Sequence, residues 1–174
     1  MKTHEVKTFE FKELSKEAQE TALRNYNTDI DFEIFNEDFK ESIKYELAEN
    51  GFLNAEYEEY DLSCYKSRPY INIKWVSFDL DKFIKPSQKW IKESNISFDF
   101  EKNEIIIYNE DKISKRAENI LNVLKEKMQN KFNETIQNLI KGGLEQIRYI
   151  ESDETKQDTI EANEYEFLEN GKRW

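Results

Sequence analysis

Between Ser114 and about Ile150, apolar residues recur at Ala117, Leu121, Leu124, Met128, Phe132, Ile136, Leu139 and Ile147. Spacings of three, four and eight keep these side chains on one face of a helix, because each helical residue turns the side-chain direction by about 100°. The run predicts one long C-terminal helix, with an interruption expected at Gly142-Gly143, since each glycine costs about 1 kcal/mol in a helix interior. A helix with one apolar face requires other elements to cover it.

The stretch "TDIDFEIFNEDFKE", Thr28 to Glu41, carries six carboxylates, three phenylalanines and one lysine. Phe32, Phe35, Phe39, Ile43 and Leu47 again recur at threes and fours, so they share a helix face that stops at Asn50-Gly51. Glu33, Glu37 and Glu41 fall on a second stripe turned away from the phenylalanines, each about 6 Å along the axis from the next. The stretch reads as an amphipathic helix with a buried face and an acidic, solvated one.

The other segments are shorter. "EVKTFEF" reads as a strand ending near Lys12, and "LSKEAQETALRNYN" as a helix with Ser15 as N-cap and Glu17 in its first turn. "AEYEEYDLSCY" and "YINIKWVSF", joined by "KSRP", predict a hairpin, with Ile71, Ile73 and Trp75 on one face and Tyr70, Asn72 and Lys74 on the other. Leu80, Phe83, Ile84, Trp90 and Ile91 have helical spacing, although Pro86 breaks or restarts that segment. "ISFDF" and "EIIIY" around "EKN" predict a second hairpin, Ser152 caps a short helix through about Glu161, and Asn170-Gly171 marks a tight turn. The fold class expected is α+β: a small mixed or antiparallel sheet of about five strands, with packed helices and the long C-terminal helix.

Length and composition bound the function. At 174 residues a single domain, 1–174, is expected. Charged residues make up 36%, yet twelve Phe, nine Tyr and three Trp supply the bulky apolar surface that disordered chains lack. One cysteine, Cys64, cannot form an internal disulfide, and no charged-then-apolar leader opens the chain, so the cytoplasm is the compartment expected. No apolar run approaches the ~20 residues needed to span a bilayer, so no membrane partner is expected. Residues 1–65 hold 7 Lys and Arg against 17 Asp and Glu, residues 66–148 hold 16 against 12, and residues 149–174 hold 3 against 8. The overall charge of −11 is therefore concentrated at the two ends. It repels a nucleic-acid backbone, so no direct nucleic-acid contact is expected, and it favours a basic protein surface as partner.

Enzymatic chemistry finds little support. Asp29, Asp31 and Glu33 alternate as calcium-loop ligands do, but Ile34 stands at the sixth position, where the turn needs glycine. Zinc has only His4 and Cys64 as soft ligands. Cys64 lacks an adjacent activating base, and there is no glycine-rich phosphate loop. Asp79 and Asp81 in "SFDLDKF", with Lys74 or Lys82, faintly resemble a metal-dependent nuclease site, against the commoner role of such carboxylates as helix caps. Lys82, Lys85, Lys89 and Lys92, beside Trp90, form a basic stripe if the segment is one helix. No cofactor, no metal and no catalytic residue is assigned.

"FKELSKEAQETALRNY" near the start, "YDLSCY" on a central strand and "DTIEANEYEFLENGK" near the end resemble, in that order, a widespread set of uncharacterised phage and prophage proteins. Lys66, Ser67, Arg68 and Pro69 stand where members of that set usually carry a glycine-rich polar turn. The resemblance implies origin in a mobile element and brings no activity with it. Together with the acidity and the lack of catalytic residues, it leads to the expectation of a phage-derived, non-enzymatic inhibitor of a host defence nuclease, of the anti-CRISPR or anti-restriction kind. Such a protein occupies the basic nucleic-acid channel of a partner such as a CRISPR effector. The carboxylates assigned to that role are Glu33, Glu37, Asp38 and Glu41 on the helix and Glu56, Glu58, Glu59 and Asp61 on the following strand. The alternatives are an antitoxin-like or regulatory protein-binding module and a metal-dependent nuclease.

Overall fold

The helices form where periodicity and caps place them. In the computed structural model, which describes residues 6–63, 68–93, 95–99, 101–102, 104–108 and 114–174, helix α1 spans Lys16–Arg24 and α2 spans Asp29–Glu49. Helix α3 spans Lys115–Glu151 and α4 spans Asp153–Ala162. Ser15 accepts the Ala18 N–H at 3.3 Å and Ser152 accepts the Thr155 N–H at 3.2 Å, each satisfying one of the donors that a helix start leaves open. At the other end of α2, Gly51 adopts φ +91°, a left-handed conformation that terminates the helix at little cost only for glycine. His4, Cys64, Lys66 and Ser67 lie outside the described residues, as do the side chains of Lys89 and Lys92.

The strands pair in twos. β1 (Phe9–Glu10) pairs with β6 (Glu166–Phe167), β2 (Phe52–Asp61) with β3 (Tyr70–Phe78), and β4 (Asn95–Asp99) with β5 (Glu104–Tyr108), all antiparallel. The α+β class is present, but the single sheet of about five strands is not: among the described residues there are three separate two-stranded sheets. Local chemistry acts on two of these pairs. The opening strand is only two residues long because Glu10 and Glu13 form a reciprocal cap, with the Glu10 N–H donating to the Glu13 carboxylate at 3.0 Å, and the chain turns into a 3-10 helix over Phe11–Glu13. At β5, the Ile105 N–H donates to Gln129 Oε1 of α3 at 2.8 Å, so a helix side chain takes a backbone donor.

Contacts cluster into two compact units, Met1–Asn36 with Glu145–Trp174, and Glu37–Leu144. The first encloses Phe11, Leu14, Ala18, Ala22, Ile160 and Phe167, closed at one side by the β1–β6 pair. Gly171, at φ +79°, turns the chain after β6 so closely that a Cβ there would collide with the Ala18 carbonyl oxygen. The second unit is centred on aromatics: the Phe132 ring lies 5.3 Å from Phe52 and 5.2 Å from Phe98, and Phe52 lies 5.5 Å from Phe83. Phe39 of α2 meets Tyr60 of β2 edge-on at 5.0 Å. Phe35, Phe39, Ile43 and Leu47 are buried while Glu33, Glu37 and Glu41 are exposed, as the spacing predicts.

Two local expectations need correction. Helix α3 runs unbroken through Gly142-Gly143. The reason lies at Gly143, where an added Cβ would come within 2.6 Å of Leu62 and 2.8 Å of Phe39; the glycine admits those side chains to the helix backbone, and that packing offsets its poor helix propensity. The lysine-bearing segment after β3 is not one helix. It forms 3-10 turns over Leu80–Lys82 and Pro86–Glu93, with Gln88 outside helical φ/ψ, so the lysines share no continuous helical face.

Candidate partner-binding surface

The carboxylates assigned from the sequence fall into two groups of different character. On α2, Glu33, Glu37, Asp38 and Glu41 are all exposed, Glu33 within the first unit and the others within the second. Lys40 Nζ lies 2.8 Å from Glu37 and Lys44 Nζ 2.7 Å from Glu41, each three residues on along the helix. The hydrogen bond from Lys40 holds the Glu37 carboxyl below the usual carboxylate range. Half of the helical stripe is thus paired with cations of the same helix, which lowers the net charge it presents.

On the β2–β3 hairpin the acids are arranged differently. The ladder pairs Leu53 with Ser77, Glu56 with Trp75, Tyr57 with Ile73, Glu59 with Asn72 and Tyr60 with Ile71. Between these pairs one strand or the other carries an extra residue, including Lys74 on β3 and Glu58 on β2, and Asn54 sits at φ +53°. Each β-bulge shifts the alternation by one position. Ile71, Ile73 and Val76 consequently point into the core, and Trp75, expected beside Ile71 and Ile73, stands outside with 52% of its surface exposed.

Opposite residues of an antiparallel pair share a face, so Glu56 lies beside Trp75 on the solvent side, and Glu59 beside Asn72. Asn72 Nδ2 donates to Glu59 Oε1 at 3.2 Å. Glu58, in the bulge, is exposed as well, and Asp61 lies opposite Tyr70 at the end of the ladder. Desolvation, with Glu59 and then Asp61 nearby, pushes the Tyr70 phenol up. The hairpin thus presents an indole with Glu56 directly opposite it and Glu58 and Glu59 further along the strand. Such a surface is suited to a cation with a flat or apolar body, above all an arginine guanidinium. Sequence reasoning found the acids and missed the tryptophan.

The other candidates are held in structural roles. Asp79 accepts the Asp81 N–H at 3.2 Å as the cap of the 3-10 turn that follows. Lys82 donates to the Glu49 carbonyl at 2.7 Å and the Ala48 carbonyl at 3.2 Å, a cation at the negative end of α2. Asp31, of the alternating acids, accepts from the Tyr26 hydroxyl at 3.2 Å. Among the described residues no three His, Cys, Asp or Glu side chains converge in a group that could hold a metal ion. Among them, too, no helix is long and apolar enough to cross a membrane. No protein-family model, no curated protein and no solved structure matches this chain.

Proposed function

We propose that the protein is a phage-derived, non-enzymatic inhibitor that seats the outer face of its β2–β3 hairpin in the basic nucleic-acid channel of a host defence nuclease, of the anti-CRISPR or anti-restriction kind. The observation that carries the reading is the pairing of exposed Trp75 with Glu56, beside Glu58 and Glu59. An exposed indole leaves a large apolar surface in water, and a partner arginine stacked on it gains cation–π contact while the glutamates meet its charge. A nucleic-acid channel offers such arginines and lysines in number, and the net charge of −11 steers the protein toward them. The phage-like motifs supply the biological setting.

The test is binding to a panel of purified CRISPR effectors and restriction nucleases from bacterial hosts, followed by their DNA or RNA binding. The wild type should compete with nucleic acid, with an affinity that falls as salt rises. Replacing Glu56, Glu58 and Glu59 together by lysine should abolish competition, and Trp75→Ala should weaken it tenfold or more. The corresponding triple reversal at Glu33, Glu37 and Glu41 should have the smaller effect, because Lys40 and Lys44 already offset two of those charges. Binding that survives both changes at the hairpin refutes the assignment of the surface. Failure to bind any nuclease of the panel refutes the inhibitor reading and leaves the antitoxin-like module.

A further inference from the structure

We propose that the groove between α3 and the Leu80–Gln88 segment binds a small organic anion, a single carboxylate or phosphate carried on an apolar body. The groove lies wholly within the second unit and encloses about 490 Å³, within the range of small-molecule sites. Its wall on α3 is one stripe, since Arg116, Ile120, Val123 and Lys127 follow at intervals of four, three and four. Val123 is 66% exposed in the middle of that stripe, and Phe83 and Leu124 continue the apolar lining.

Four cations surround this apolar floor: Arg116 and Lys127, about 16 Å apart along α3, and Lys82 and Lys85 across the groove. No Asp or Glu is among the described residues that line it. Lys40, Lys44, Lys102 and Lys131 each pair with a carboxylate three residues away, whereas among the described residues Lys82, Lys85, Arg116 and Lys127 form no ion pair with a carboxylate, although Asp79 and Asp81 precede Lys82 in sequence. Here Lys127 donates to the Phe83 carbonyl at 2.9 Å and Lys82 to both the Glu49 and Ala48 carbonyls, contacts that fix their ammonium groups; of three N–H donors each, Lys127 keeps two for a ligand and Lys82 one. In a chain of net charge −11, a concave apolar floor ringed by cations is complementary to an amphiphile of the opposite charge. The volume suits a ligand of small-molecule size, and the guanidinium of Arg116 offers a two-pronged contact to its head group.

The experiment titrates the full chain with decanoate, decyl phosphate and decanol, read by methyl NMR at Ile120 and Val123 and by calorimetry. Decanoate or decyl phosphate should saturate those resonances and bind at least tenfold more tightly than decanol; the stronger of the two identifies the head group. Exchanging both exposed rim cations, Lys85→Glu with Arg116→Glu, should weaken the anion at least tenfold while circular dichroism and Tm stay unchanged. Equal binding of decanol, or an anion affinity indifferent to the double reversal, overturns the proposal. So does binding of an acidic peptide in place of both anions, which would make the groove a protein-docking site. Trp75→Ala should leave decanoate binding intact, so the outcome is separate from that of the hairpin experiment.

Discussion

Gly142 and Gly143 make a pair in which one perturbation, glycine to alanine, should have opposite signs one residue apart. At Gly142 an added Cβ meets nothing within 4 Å and the position is exposed, so only the backbone effect remains. Alanine there should stabilise by about 0.5–1 kcal/mol, the difference in helix propensity and unfolded-state entropy. At Gly143 the same backbone gain applies, but the Cβ would lie 2.6 Å from Leu62 Cδ1 and 2.8 Å from Phe39 Cε2. Both side chains are buried, at 6% and 5% exposure, and the Phe39 ring is further held edge-on against Tyr60, so neither can swing into solvent. Overpacking of this kind costs about 1–3 kcal/mol. The backbone gain cancels between the two variants, so their stabilities should differ by about 1–3 kcal/mol, with Gly143→Ala the lower. For a chain of this size that corresponds to roughly 2–12 °C in Tm. Thermal and urea denaturation of both variants beside the wild type measures it. Equal stabilisation by both changes would refute the claim that Gly143 persists in α3 because Phe39 and Leu62 pack on its backbone.

Phe132→Ala should cost about 3–5 kcal/mol in urea denaturation, because the ring is fully buried and is shared by Phe52 and Phe98. Ser152→Ala should lower stability by about 1 kcal/mol through loss of the cap on Thr155, and Ser152→Asp should restore most of it. Glu37, Asp99 and Glu161 are held below the usual carboxylate range by hydrogen bonds from Lys40, from Lys102, and from Lys12 and then Gln157. A depressed folded pKa stabilises above the unfolded value, so these contributions should be intact at neutral pH and lost as pH falls below about 4. Carboxyl NMR titration should place the Glu161 midpoint below the ordinary glutamate value, and Lys12→Met should raise it.

Much of the secondary structure was legible because it depends on near neighbours. Phe35, Phe39, Ile43 and Leu47 declare α2 by spacing alone, and Ser15 and Ser152 declare the starts of α1 and α4. What escaped was decided by distant partners or by single inserted residues. The pairing of Phe9 with Phe167 joins strands of two residues each, too short to leave a periodic signal. The bulges at Glu58 and Lys74 reverse the alternation after a few residues, so Val76 takes the core position expected for Trp75. The acids of the candidate surface were therefore found by composition, and its aromatic centre was not. Gly143 misled for a related reason: its cost is local and its compensation comes from Phe39 and Leu62.

The first unit is assembled from two separated stretches, Met1–Asn36 and Glu145–Trp174, and this gives folding an order in time. A ribosome adds ~5–20 residues per second, so the intervening hundred or so residues take roughly 5–20 s to make. Throughout that interval Phe11, Leu14, Ala18 and Ala22 have been synthesised while Ile160 and Phe167, which complete their cluster, do not yet exist. The continuous stretch Glu37–Leu144 can close first, and the opening residues must wait with an uncovered apolar face. For as long as the stretch between them is being made, Phe11, Leu14, Ala18 and Ala22 form a sticky segment that waits for Ile160 and Phe167 to cover it.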